Sequence, residues 1–67
     1  MLEQVLILLG ISDPTEEVTS LLETIISMTE QRLQLRLGVS SVPAELEYIV
    51  VEVSIVRFNR IGSERLS

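Results

Sequence analysis

The chain has 67 residues, of which 46% are apolar, and its formal net charge is −5. This composition excludes a disordered chain and argues against a nucleic-acid binder, which usually carries a basic stripe. The absence of cysteine and histidine excludes disulfides, thiol nucleophiles, imidazole bases and the usual zinc ligand sets, so we expect neither an enzyme nor a bound metal or cofactor.

The length predicts one domain over residues 1–67, near the size at which a single core is only marginally stabilising. Such a chain gains stability from close helix packing or from burial against other subunits. No apolar run reaches the roughly 20 residues that span a bilayer, and no basic segment follows Met1 as in a signal peptide. We therefore expect no membrane association.

The first predicted element is a short helix over residues 2–9. Its apolar residues run without a break from Val5 to Leu9, so it must be covered on more than one side, and Gly10 marks its end. The composition is also compatible with a strand.

The second predicted helix covers residues 14–37 and ends at Gly38. Asp13 is a preferred N-cap residue, Pro14 suits the first helical position, and Glu16 stands where a capping box places its carboxylate. Because capping accounts for Glu16 and its neighbour Glu17, we do not interpret them as catalytic acids. The apolar residues that follow keep helical spacing: Val18, Leu21, Leu22, Ile25, Met28 or Thr29, and Leu33.

The third predicted helix covers residues 43–61 and opens at Pro43, with Ser41 or Val42 as its N-cap. The β-branched run from Ile49 to Val56 also fits a buried strand. The Pro-Ala-Glu-Leu-Glu start and the length favour a helix. The sequence thus predicts an all-α fold of three antiparallel helices with short connectors.

Read at 100° per residue, the third helix has two apolar faces. One face is predicted to be the core: Leu46, Ile49, Val50, Val53, Val56 and Ile61. The other lies nearly opposite: Tyr48, Val51, Ile55 and Phe58. Because so small a protein has one core to bury against, the second face is predicted to contact another subunit or partner.

Charges are distributed unevenly along the chain. Residues 1–30 contain six acids and no base, whereas all five bases are arginines beyond that point. In the terminal cluster, Arg57, Asn59, Arg60 and Glu64 are further candidates for the subunit or partner interface. Arg57 lies within the predicted core arc, so it either extends past the end of the core or pairs with a neighbour's carboxylate. Arg60 is predicted to pair with Glu16, Glu17 or Glu23 of a neighbouring copy.

Three segments together resemble a known family. They are the opening V-L-I-L-L-G-I-S-D, the Glu-rich second helix, and the closing L-E-Y-I-V-V-E-V-S-I-V-R-F-N-R-I-G-S-E. In combination and order they resemble the head–tail connector proteins of tailed bacteriophages, over nearly the whole chain. Members usually continue past the closing Gly-Ser-Glu string, so we expect a C-terminal extension to be absent or truncated here.

The resemblance implies a structural protein of the virion that assembles as a homo-oligomeric ring, a dodecamer, beneath the portal protein. This ring would join the head to a stopper or tail-completion protein, and the chain would reside in the host cytoplasm during assembly. No small-molecule substrate is implied.

Two other interpretations stay open. A small regulatory module of the helix-turn-helix type would bind DNA, but Val51, Ile55 and Phe58 stand where base-reading residues belong, so sequence-specific binding is not expected. The second interpretation is a helical oligomer of cellular, not phage, origin.

Overall fold

The computed structural model describes the backbone of residues 1–66 and the side chains of residues 1–61. It contains three α-helices, α1 (Leu2–Leu9), α2 (Glu16–Leu37) and α3 (Glu47–Leu66), and a 3₁₀ turn over Ala44–Leu46. The predicted all-α fold of three helices is confirmed. The strand alternatives for residues 2–9 and 49–56 are wrong, because both segments are helical.

The first two helices end at the predicted glycines. Gly10 and Gly38 have φ values of 75° and 69°, in the left-handed region that glycine adopts without a Cβ penalty. After α1, the N–H of Ile11 donates to the carbonyl of Leu6 at 3.0 Å, and after α2 the N–H of Val39 donates to that of Gln34 at 3.1 Å. These bonds satisfy carbonyls that a helix end leaves unpaired.

The predicted start of the second helix is wrong by two residues. Thr15, not Asp13, is the N-cap residue of α2, and its Oγ1 accepts a hydrogen bond of 3.2 Å from the N–H of Val18. Pro14 therefore lies outside the helix, and Val18, not Glu16, occupies the third helical position, so no capping box forms. Thr15 is also one of the preferred N-cap residue types, although Asp ranks above Thr. Glu16, now the first helical residue, still lies at the positive end of the helix dipole.

The third helix starts later and ends later than predicted. Pro43 has φ −59° and ψ 145°, an extended conformation, and precedes the 3₁₀ turn, so neither Ser41 nor Val42 is its cap. The N–H of Leu46 donates to the carbonyl of Pro43 at 2.9 Å. The α-helix itself begins at Glu47 and continues to Leu66, past the predicted end at residue 61.

The core lies where α3 packs against both α1 and α2. Its buried apolar residues come from all three helices: Val5, Leu22, Ile26, Val50 and Val51, with Ile25 also buried. Half-buried apolar side chains surround this cluster, among them Leu6, Val18 and Leu33. The buried apolar side chains of this small core are all aliphatic.

The predicted division of α3 into a core face and a partner face is wrong. The face that contacts the core contains Val50, Val51, Ser54, Ile55 and Phe58, a spacing that keeps them within an arc of about 140°. It therefore takes one residue from the predicted core face and three from the predicted partner face. The fully buried Ser54 lies between the predicted core face and the predicted partner face. Because serine is polar, a pattern of apolar residues does not identify this position as buried.

Candidate subunit and partner interface

An uncovered apolar strip runs along α3. Val53 and Val56 were predicted to lie in the core, but their side chains are 36% and 63% exposed. Ile49 beside them is half-buried. Since these side chains are fixed on a helix whose opposite face is packed, the strip is a preformed surface that can bury apolar area against another protein.

The strip borders a groove between α2 and α3 with a volume of about 380 Å³, lined by Thr29, Arg32, Leu33, Arg36, Ile49, Val53 and Arg57. A shallower depression continues it along α3 past Glu52, Val56 and Arg60. We call this combined surface the arginine groove: Arg32, Arg36, Arg57 and Arg60 around Ile49, Val53 and Val56.

The arginine groove gathers four of the chain's five bases. The side-chain hydrogen bonds among the described residues involve Thr15, Thr24 and Thr29. None joins an arginine to a carboxylate. Among the described residues, the guanidinium groups of this surface therefore have no carboxylate partner, and their five N–H donors each suit an anionic partner.

The residues predicted for the interface divide into three groups. Tyr48, which is 60% exposed, and the exposed Asn59 and Arg60 are accessible. Val51 is buried, only 6% exposed, and belongs to the chain's own core.

Ile55 and Phe58 are half-buried and pack against the same core. Arg57 is half-buried at the rim of the groove, where its charged end can extend past the core. The side chain of Glu64 lies outside the described residues. The contact of any of these residues with another protein stays a prediction.

Four residues of this surface were not predicted to belong to an interface. The charges of Arg32 and Arg36 were assigned to no site, and Val53 and Val56 were predicted to lie in the core. The signal that could have identified them is the spacing of the arginines: i, i+4 on α2 and i, i+3 on α3 place each pair on one side of its helix.

Further apolar side chains are exposed at two other places. Ile7 and Leu8 on α1 are 74% and 65% exposed, and Leu35, Leu37 and Val39 surround the end of α2. Ile7 and Leu8 lie on α1, which contributes no residue to the arginine groove, and Leu35, Leu37 and Val39 are not among the residues that line it. The chain therefore offers more than one apolar surface.

The described part of the chain lacks two further kinds of feature. It contains no group of three or more acidic side chains placed to hold a metal ion. None of its helices combines the length and the apolarity that a bilayer crossing requires.

The comparison with protein families accounts for the whole sequence. The family described as Phage gp6-like head-tail connector protein matches residues 1–67, which confirms the resemblance of the three segments. No curated protein and no solved structure matches the chain. The matching family consists of structural phage proteins, not enzymes, that interact with other proteins of the phage head and tail. The chain therefore belongs to the phage gp6-like head-tail connector family.

Proposed function

We propose that this connector protein assembles as a closed homo-oligomeric ring, a dodecamer in the virion, beneath the portal protein. The ring joins the head to a stopper or tail-completion protein, and the role is structural, not catalytic. The protein acts at the head–tail junction after assembly in the host bacterial cytoplasm. The observation that carries the proposal is the uncovered strip of Val53 and Val56 beside arginines that pair with no carboxylate among the described residues.

The exposed area supports association. The accessible surface is 5009 Å² for a mass of 7.5 kDa, whereas a folded monomer of that mass exposes about 4,200 Å². The isolated chain thus leaves more surface in water than a self-contained protein of its size, and a ring covers part of it at two edges of every subunit.

The number of separate apolar surfaces supports several partners. A ring subunit between portal and stopper needs two lateral contacts and two axial contacts. The arginine groove suits a lateral contact. Ile7 and Leu8 on α1, and the exposed residues near the end of α2, are available for the axial ones.

Electron microscopy and sedimentation velocity of the purified protein, alone and with the portal protein of the same phage, test the proposal. We expect ring-shaped particles, formed alone at high concentration or on the portal, and co-sedimentation of the two proteins. A chain that stays monomeric at every concentration and does not co-sediment with the portal would contradict it.

Only the arginine groove favours the competing DNA-binding function. Its apolar floor and the net charge of −5 oppose that reading, because nucleic-acid affinity comes mainly from neutralising phosphates with a basic surface. An electrophoretic mobility shift with duplex DNA distinguishes the two functions. We expect no shift at about 150 mM salt, where specific binders still bind tightly.

A further inference from the structure

We propose that the arginine groove of one copy receives the acidic flank of α2 from the next copy, so that unlike charges meet at every lateral contact. The acidic flank is formed by Glu16, Glu23 and Glu30. The inference rests on the proposed ring and specifies which surfaces of the subunit form it.

The three acids lie on one side of α2. They follow each other at intervals of seven residues, which at about 100° per residue keeps them within an arc of about 40°. Glu16 and Glu23 are exposed and Glu30 is half-buried. None of the three forms a side-chain hydrogen bond among the described residues, so the flank is an unpaired anionic edge.

The two surfaces lie on different sides of the subunit. Around α2, Arg32 is about 180° from Glu23 and Arg36 about 140° from it. Glu17 is about 120° from Glu23, so it lies off the flank and is no longer a candidate partner for Arg60.

A second copy fits the groove by charge and by placement. Residues 1–30 carry six acids and no basic side chain, so the segment that holds the flank adds no basic side chain that would repel the arginines. Because groove and flank face different ways, their contact is head-to-tail, the type of contact that generates a ring when the rotation between neighbouring copies closes. A two-fold contact of groove on groove would bring four arginines against four, which Coulomb repulsion disfavours.

Charge reversal with complementation tests the contact. The groove variant carries R32E and R60E, both at exposed positions, and the flank variant carries E16R and E23R, also exposed. The control for the flank variant, E3R with E17R, makes the same change in net charge at exposed acids off the flank. Each protein is examined alone and in a 1:1 mixture by sedimentation velocity at low salt, with circular dichroism to verify folding.

We expect each reversed variant alone to need at least about tenfold more protein to assemble than the wild type, because two attractive pairs become repulsive. The control should assemble like the wild type. The mixture should recover assembly, since alternating copies make every contact complementary, which an even-numbered ring allows. Raising salt from about 50 to about 500 mM should weaken the wild-type ring, because exposed charges are screened.

The failures are distinguishable. If the wild type forms rings and the variants assemble equally well, the proposed contact is wrong but the ring stands. The same holds if the variants fail to assemble and mixing them does not restore assembly. A groove variant that still forms rings but no longer binds the portal assigns the groove to the portal and also overturns it. If the wild-type protein never assembles, both the proposed ring and the proposed contact are wrong. If either double variant is unfolded, the single variants R60E and E23R replace them with the same outcomes.

Discussion

Replacing Ser54 by alanine should stabilise the fold. The Ser54 side chain is fully buried, and its Oγ has no hydrogen-bond partner within the described residues. A buried hydroxyl without a partner costs about 1–3 kcal/mol, and alanine is the better helix former by up to about 0.7 kcal/mol. The small void left by Oγ offsets part of this gain. We expect the free energy of unfolding to rise by about 1–2 kcal/mol.

Urea and thermal unfolding followed by circular dichroism measure this change, at a low and fixed protein concentration so that association does not contribute. For a chain of this size, each kcal/mol raises Tm by about 4–8 °C. Ser27→Ala is the matched control, because Ser27 is exposed in the interior of α2 and reports helix propensity alone. If Ser54→Ala stabilises no more than Ser27→Ala does, the buried hydroxyl carries no penalty and the reasoning is refuted.

Two further predictions concern the corrected elements. Thr15→Ala should lower the free energy of unfolding by about 0.5–2 kcal/mol through loss of the cap, whereas Asp13→Ala should change it by less than about 0.5 kcal/mol; the opposite order in thermal melts would restore Asp13 as the cap. Val56→Asp should leave Tm near the wild-type value and weaken assembly in sedimentation, because Val56 is exposed. Ile55→Asp should lower Tm, because it places a carboxylate against the core. A stable Ile55→Asp protein together with an assembling Val56→Asp protein would contradict the assignment of faces on α3.

The positions of helix ends were predictable where one residue type alone permits the required conformation. Gly10 and Gly38 have positive φ, so each ends its helix whatever the surroundings. The start of α2 was less predictable because Asp13 and Thr15 are both good caps two residues apart. Capping preference and negative charge both favour Asp13, so neither could identify Thr15. The conformation of the turn after α1 places Thr15, not Asp13, where it caps Val18.

The orientation of α3 could not be read from apolarity alone. A periodicity argument finds the buried face of a helix when its other faces are polar, and α3 has apolar residues on both sides of its core contact. Ser54, at the centre of that contact, lowers its apparent hydrophobicity. The side that faces the chain's own core is set by α1 and α2, whose packing with α3 is a tertiary property.

The same ambiguity has a functional consequence. A helix that packs against its own core on one side and against a neighbouring subunit on the other needs apolar residues on both sides. The chain's own core buries few large side chains, and a protein of this size has a small margin of stability by itself. Binding to the folded state stabilises it by mass action. In the proposed ring, the exposed Val53 and Val56 would therefore contribute to the folding of α3 as well as to the contact, and charge would select which edge they meet.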